Sequence, residues 1–367
     1  MTPPRNQTRE PYIRLIESQS LVKNRYSNIR RLTENAGEGN FSLMFTAFDS
    51  VTNQEVALKF LDPNWATDPY RFECFTREVE MLQMFRGRPN ILQVIDAKST
   101  LMINVTTPEG LTVPFHFPFF ATELAQEGNL RGYIYSSATS AKQNLSLFWE
   151  MCRVVQRIHA KQVCHRDLKP SNFLIFRRKD PHEKLKLSDF GTARSFDKNA
   201  EPLLQRYGGP PGDYLYTSPE LLCGLGSEEQ FAFSNDFYSL GAILFEMFAK
   251  TYLSLAIFNN IWNIRDLVRH FSITRERDRK EIFDNFIKGI ARSKPLPDIF
   301  AYNQEVPNCI KNQLNSLYKS LANLDYRRRL RNFARIFMQT GICITILHNE
   351  EKYRKWRQLK KRLKKLK

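Results

Sequence analysis

The sequence predicts an α+β chain in which a small strand-rich lobe precedes a larger helical lobe, with a cleft between them. Three observations carry this. Short strand patterns, with β-branched and aromatic residues between turn signals, dominate as far as Thr122, and long helical segments dominate beyond Gly128. The third is size: 367 residues with 42% apolar and 13% aromatic content can fill a large core, which excludes a disordered chain.

Taken in order, residues 1–21 read as a flexible lead-in, with Pro3, Pro4 and Pro11 and no periodicity. Residues 22–347 read as one bilobal domain, with an N-lobe at 22–122, a hinge at 123–128 and a C-lobe at 129–347. From Ile29 to Phe60 the pattern is strand, glycine turn, strand, strand. Arg71 to Phe85 has helical spacing at Phe75, Val79, Leu82 and Phe85, ended by Gly87 and Pro89. Short strands are expected at Ile91–Ile95, Leu101–Val105 and Phe115–Thr122. Helices follow at Leu145–Lys161, Ser234–Ala249, Ile261–Phe271, Glu281–Ala291 and Cys309–Leu324. The apolar run Ile336–Leu347 is broken by Gln339. A bilayer span needs roughly 20 residues, so this run reads as a last buried helix.

Six cysteines without a CxxC pair argue against zinc and against a disulfide framework, and they fit a reducing compartment. The opening MTPPRNQTRE carries no apolar run that would make a signal peptide. A soluble cytoplasmic protein is therefore expected, and the basic tail admits the nucleus. The formal charge is +17, and residues 348–367 hold ten Lys/Arg against Glu350 and Glu351. Within 350–367, Tyr353, Trp356, Leu363 and Leu366 draw an apolar stripe on a cationic helix. An acidic protein, an anionic membrane surface and nucleic acid are the candidate partners. A merely solvated charged terminus competes with all three.

The chemistry begins at Gly37-Glu38-Gly39-Asn40-Phe41-Ser42-Leu-Met44, where glycines let backbone N–H groups approach phosphate oxygens. Val56-Ala57-Leu-Lys59 then ends a strand in a lysine whose ammonium can neutralise phosphate charge. Glu78, mid-helix, can hold that lysine. Glu80 is its rival but points about 200° away around the helix. A second cluster is far more specific: His165-Arg-Asp167-Leu-Lys169-Pro-Ser-Asn172, then Leu187-Ser-Asp189-Phe-Gly191. Asp189 and Asn172 offer hard oxygen ligands for magnesium. Asp167 can orient or accept the proton of an attacking hydroxyl, and Lys169 adds charge near a transferring phosphoryl group.

These residues resemble the protein-kinase signature, in the family's order, from about Asn24 to Leu347. The resemblance implies a bilobal protein-kinase-like fold and ATP-dependent phosphoryl transfer with Mg2+ to protein hydroxyls. It implies Asp167 as base, Lys169 as its helper and Lys59 paired with Glu78 as phosphate anchor, with Asn172 and Asp189 as metal ligands. The nucleotide would lie among Gly37, Glu38, Gly39, Asn40, Phe41, Ser42, Met44, Ala57, Lys59, Thr122 as gatekeeper, and the hinge from Glu123 to Ala125. Ser218-Pro219-Glu220 resembles the end of the activation segment. Asp236 resembles the buried aspartate of the next helix, and Arg329 (or Arg328) the partner of Glu220. Leu82, His165 and Phe190 fall in the hydrophobic column that aligns the lobes. Lys169 resembles the serine/threonine class, and an ATP-binding pseudokinase is the alternative.

Two departures stand out. Asp213 occupies the position where that class places a hydroxyl near Asp167 and Lys169, which would set a carboxylate beside the base. The segment also has no Ser or Thr between Ser195 and Thr217 to accept an activating phosphate. Glu201 or Asp213 standing in for the phosphate, modified Tyr207, or a partner would then supply activation.

Overall fold

In a computed structural model, the alternating N-terminal segments pair into one antiparallel sheet of order β1-β2-β3-β4-β6-β5. The structure describes residues 5–32, 42–106, 109–136, 139–177, 185–206, 212–260, 268–271, 273–293 and 295–365. The strands are β1 (Leu21–Val22), β2 (Tyr26–Arg31), β3 (Ser42–Asp49), β4 (Gln54–Leu61), β5 (Val94–Thr106) and β6 (Thr112–Glu123). One face carries Tyr26, Phe45, Phe60, Phe117 and Phe119, all buried. Phe60 stacks on Phe119 at 4.8 Å between ring centroids, and Phe45 meets Phe60 edge-on at 5.4 Å.

The N-terminal segment departs from expectation. Where a flexible lead-in is expected, Arg5–Glu17 form helix α1. Its Ile13 and Ile16 are buried in the sheet's core, and Arg9 pairs with the buried Asp62 at 2.6 Å. This tertiary burial outweighs the helix-breaking tendency of Pro11.

Helix α2 (Pro69–Met84) starts two residues before the expected helix, because Asp68 caps the amides of Tyr70 and Arg71 and Pro69 fits the first turn. Helix α3 (Leu130–Ser136) and helix α4 (Ala141–His159) follow, and Ser140 with Gln143 forms a capping box on α4. The short strands β7 (Val163–Cys164) and β10 (Arg194–Ser195) pair with each other. So do β8 (Phe173–Ile175) and β9 (Leu185–Leu187). The remaining helices are α5 (Pro202–Gln205), α6 (Pro219–Leu222), α7 (Glu229–Ala249), α8 (Leu253–Asn260), α9 (Glu276–Ser293), α10 (Lys311–Leu321) and α11 (Phe333–Lys365). Of the helix expected over Ile261–Phe271, residues 261–267 lie outside the described residues.

Two compact units emerge. The first comprises Met1–Gly132, Ser171–Ala193 and Ala200–Gly208; the second comprises Tyr133–Pro170, Arg194–Asn199 and Gly209–Lys367. Residues 171–193 thus group with the strand-rich unit, although they follow the hinge in sequence. Their backbone explains it: Leu187 N–H donates to Asn90 at 2.9 Å, Leu92 N–H to Leu187 at 3.0 Å, and Ile175 N–H to Gly128 at 2.8 Å.

In the second unit α7 is buried almost throughout. Helix α11 lays Ile336, Thr340, Cys343 and Leu347 inward, and Phe337 packs on Trp149 of α4 at 4.8 Å. It then continues past residue 347 to Lys365, with residues 351–359 exposed. Among the described residues no helix is long and apolar enough to cross a membrane.

Candidate active site

Strand register places the first group. In β4, Lys59 lies between Met44 of β3 and Phe120 of β6, and Ala57 lies opposite Thr122. Lys59 Nζ reaches Glu78 at 2.6 Å and Asp189 at 3.4 Å, all within the first unit. Glu78 is buried on α2, whereas Glu80 pairs with Lys98 on a more exposed face. The 3.6-residue geometry of α2 decides between them as expected.

Three charges share this spot. Burial alone would lower the Lys59 ammonium, but the charges of Asp189 and Glu78 outweigh it and hold it above its ordinary value. Burial pushes the Glu78 carboxyl up to about 7, against the pull of Lys59 and with the added repulsion of Asp189. Asp189 sits in the left-handed region at φ 61°, a conformation that a non-glycine residue holds only when its surroundings impose it.

Asn172 is buried, and its carbonyl accepts the N–H and the hydroxyl of Ser188 at 2.9 and 3.0 Å. That ties it to the residue before Asp189. One carboxylate and one carboxamide form a hard-oxygen pair of the kind that magnesium uses when phosphates and waters complete its shell. Among the described residues no group of three or more His, Cys, Asp or Glu could hold a metal on its own.

Ser42 is buried at the start of β3, Met44 lies two residues on, and Thr122 is buried near the end of β6. The Glu123 carboxylate takes Lys186 at 2.6 and 2.8 Å, and its N–H donates to Gln93. The sheet ends there, so the backbone through Ala125 leaves it. Gly37, Glu38, Gly39, Asn40 and Phe41 lie outside the described residues. Leu82 and Phe190 are fully buried, and Phe85 packs on Phe190 at 5.7 Å.

In the second unit the organiser is Asp236. Its buried carboxylate accepts the N–H groups of His165 and Arg166 at 2.8 and 2.9 Å and meets His159 Nε2 at 2.8 Å. Arg166 is thereby held at φ 68°, and Asp167 follows it. Asp167 Oδ2 accepts Lys169 Nζ at 2.8 Å, and Oδ1 accepts the backbone N–H of Asp213 at 2.7 Å.

The last contact adds to the expectation for Asp213. One oxygen of its carboxylate, Oδ1, accepts the N–H of Leu215 at 3.0 Å, and the contact to the base is made by the Asp213 backbone. A backbone N–H thus reaches the Asp167 carboxylate from this segment. This needs Gly212, since a Cβ there would lie 2.1 Å from Asp167 Oδ1.

The segment's end is fixed by Glu220 and Arg329, both side chains fully buried, with Nη2 to Oε2 at 3.1 Å. Arg328 reaches Asp325 at 3.9 Å and is mostly exposed, so Arg329 is the partner. Gly212, His159 and the buried Arg77 were not singled out by sequence reasoning; the only signal for Arg77 was its place beside Glu78.

The protein kinase domain family matches residues 30–341. The chain belongs to the protein kinase family. Similar proteins include serine/threonine-protein kinase SIK2 of Gallus gallus, 30% identical over 213 residues, covering 57% of this chain and 23% of that one. CBL-interacting protein kinase 28 of Oryza sativa subsp. japonica is 29% identical over 265 residues, covering 70% of this chain and 54% of its own length. The chain therefore spans between about a quarter and about half of these relatives. As a family, protein kinases use ATP and magnesium.

With the Glu78 carboxyl near 7, acidification neutralises the nearer partner of Lys59 and leaves only Asp189 to hold it. kcat/KM for ATP should fall roughly tenfold per pH unit below about 7 and level off above it. Glu78→Gln should be slow and lack this limb. A wild-type profile that stays flat from pH 6 to 8 would show that the pair does not control nucleotide use.

Proposed function

We propose that this kinase is an active enzyme that transfers the γ-phosphate of ATP to serine or threonine hydroxyls of proteins. The observation that carries this reading is the Lys59–Glu78 pair formed at 2.6 Å beside Asp189. Lys59 would anchor phosphate oxygens. Asn172 and Asp189 would hold magnesium, which supplies Lewis-acid neutralisation of the phosphates when bound. Asp167, oriented by Lys169 and the Asp213 N–H, would take the proton of the attacking hydroxyl as the new P–O bond forms, with ADP leaving. Lys169 would also offset charge on the transferring group. The nucleotide would lie on Ser42, Met44, Ala57 and Thr122, with adenine at the backbone from Glu123 to Ala125.

A pseudokinase reading finds little to support it. Lys59, Glu78, Asp167, Asn172 and Asp189 are all present, and of the two features that favoured it, Ser42 and Asp213, the latter contributes its backbone N–H to Asp167. The domain proposed for this activity is 22–347, with the protein working inside the cell.

For the tail we favour an anionic membrane surface. Tyr353, Trp356 and Leu359 are each about half exposed on α11, and residues 352–365 hold nine Lys/Arg and no acid. Exposed aromatic and leucine side chains amid cations suit a headgroup boundary. Leu359 replaces Leu363 and Leu366 in this stripe, since the side chains of those two lie outside the described residues.

Two measurements test these readings. Labelled ATP with magnesium should phosphorylate serine or threonine in a basic protein mixture, and Asp167→Ala should abolish it. Label on tyrosine would overturn the class. No transfer together with ATP-induced thermal stabilisation would favour the pseudokinase. In sedimentation, the full chain should bind phosphatidylserine vesicles but not phosphatidylcholine ones, and Trp356→Ala with Leu359→Ala should weaken binding. Retention of acidic protein or nucleic acid instead would overturn the membrane assignment.

A further inference from the structure

Arg77 is 1% exposed, a full positive charge inside the first unit. Burying a guanidinium is costly unless its donors are met. Here two of its donor atoms, Nη1 and Nε, are met by the chain's own backbone, while the buried Nη2 makes no hydrogen bond among the described residues and has only a carboxylate nearby. Nη1 donates to the Gly191 carbonyl at 2.8 Å, and Nε donates to the Leu203 carbonyl at 3.3 Å. Nη2 faces Glu73, one turn back on α2, at 3.6 Å. Glu73 in turn binds Arg206 at 2.7 Å, just past α5. One side chain thus joins three elements: α2, the turn two residues beyond Asp189, and the activation-segment helix α5.

Glu78 is the next residue on the same helix. Any rotation or outward slide of α2 that breaks Lys59–Glu78 must also draw Arg77 off both carbonyls and strand a buried charge. Among the described hydroxyls of the segment, Thr192 is half-buried and Tyr214 is exposed, whereas Tyr216 is buried with its hydroxyl donating to Glu246. Ser195, Thr217 and Ser218 are all buried, and Thr217 Oγ1 donates to the Asp213 carbonyl.

We propose that Arg77 is a positioning residue that holds Glu78 on Lys59 and orders the activation segment through the carbonyls of Gly191 and Leu203. Phosphorylation of that segment is then not needed for activity. This rests on the kinase reading above and names its regulation: the active arrangement of α2 is built in by backbone acceptors.

The test uses the full chain, phosphatase-treated and checked by mass, as wild type, Arg77→Met and Arg77→Lys, with Asp167→Ala as blank. Wild type should keep its kcat within about twofold after phosphatase. Arg77→Met should lose kcat roughly 30-fold and raise KM for ATP, from the loss of charge-assisted contacts that align Lys59. KM for the protein substrate should not change. Arg77→Lys, which keeps the charge and can reach one carbonyl, should recover part of the loss. A packing role alone would give no such split between the two KM values and no rescue by lysine.

The proposal is overturned if Arg77→Met matches or exceeds wild type, or if phosphatase abolishes wild-type activity. Should Arg77→Met fail to fold, the Arg77→Lys kinetics and the phosphatase arm decide. Should wild type transfer nothing above the blank, the kinase reading falls by itself. The clamp is then judged by ATP-induced thermal stabilisation, which Arg77→Lys must diminish.

Discussion

A carboxylate taken fully out of water must be met by donors, and Asp236 is met by the backbone N–H groups of His165 and Arg166 and by His159. That requirement shapes the second unit around it. Holding two successive amides forces Arg166 into a left-handed conformation that it would not otherwise choose, and the turn presents Asp167. Lys169 and the Asp213 N–H then fix the two oxygens of Asp167. The segment that supplies this N–H is anchored further on by the buried Glu220–Arg329 pair and by Ser218 N–H on Asn235. Remove the Asp236 carboxylate and each later step loses its support.

The first unit solves a parallel problem with a sheet. Antiparallel register puts Lys59 and Ala57 on successive positions of one face, and a phenylalanine-rich layer holds the other. Lys59 then faces two carboxylates whose charge keeps the lysine charged against its burial, while burial, with the repulsion of Asp189 added, raises Glu78. Bound magnesium and phosphates would redistribute that charge, so the arrangement is poised for a ligand that brings both signs.

Much of this was legible in the sequence because the chemistry resides in side chains at short, ordered spacings. His165 to Asn172 and Leu187 to Gly191 could be read directly, and helical geometry separated Glu78 from Glu80. What was not legible is carried by backbone atoms or by partners far along the chain. Asp213 reaches Asp167 through its N–H, which side-chain identity does not reveal. Gly212 matters for the space it leaves. Arg77 meets Gly191 and Leu203 across 114 and 126 residues, which no local pattern reveals. The helix Arg5–Glu17 was hidden by Pro11 within it, because only the sheet beneath it makes the helix worth forming.

The central claim is that Asp167 is oriented by a backbone N–H that only glycine at 212 admits. The most direct measurement is the kinetics of Gly212→Ala beside its affinity for ATP. A Cβ 2.1 Å from Asp167 Oδ1 must displace either the carboxylate or the segment, and neither has a flexible end to yield. The account predicts a kcat loss of roughly 100-fold, on the scale of a misplaced catalytic group, with ATP affinity unchanged. An alanine variant with wild-type kcat would contradict it.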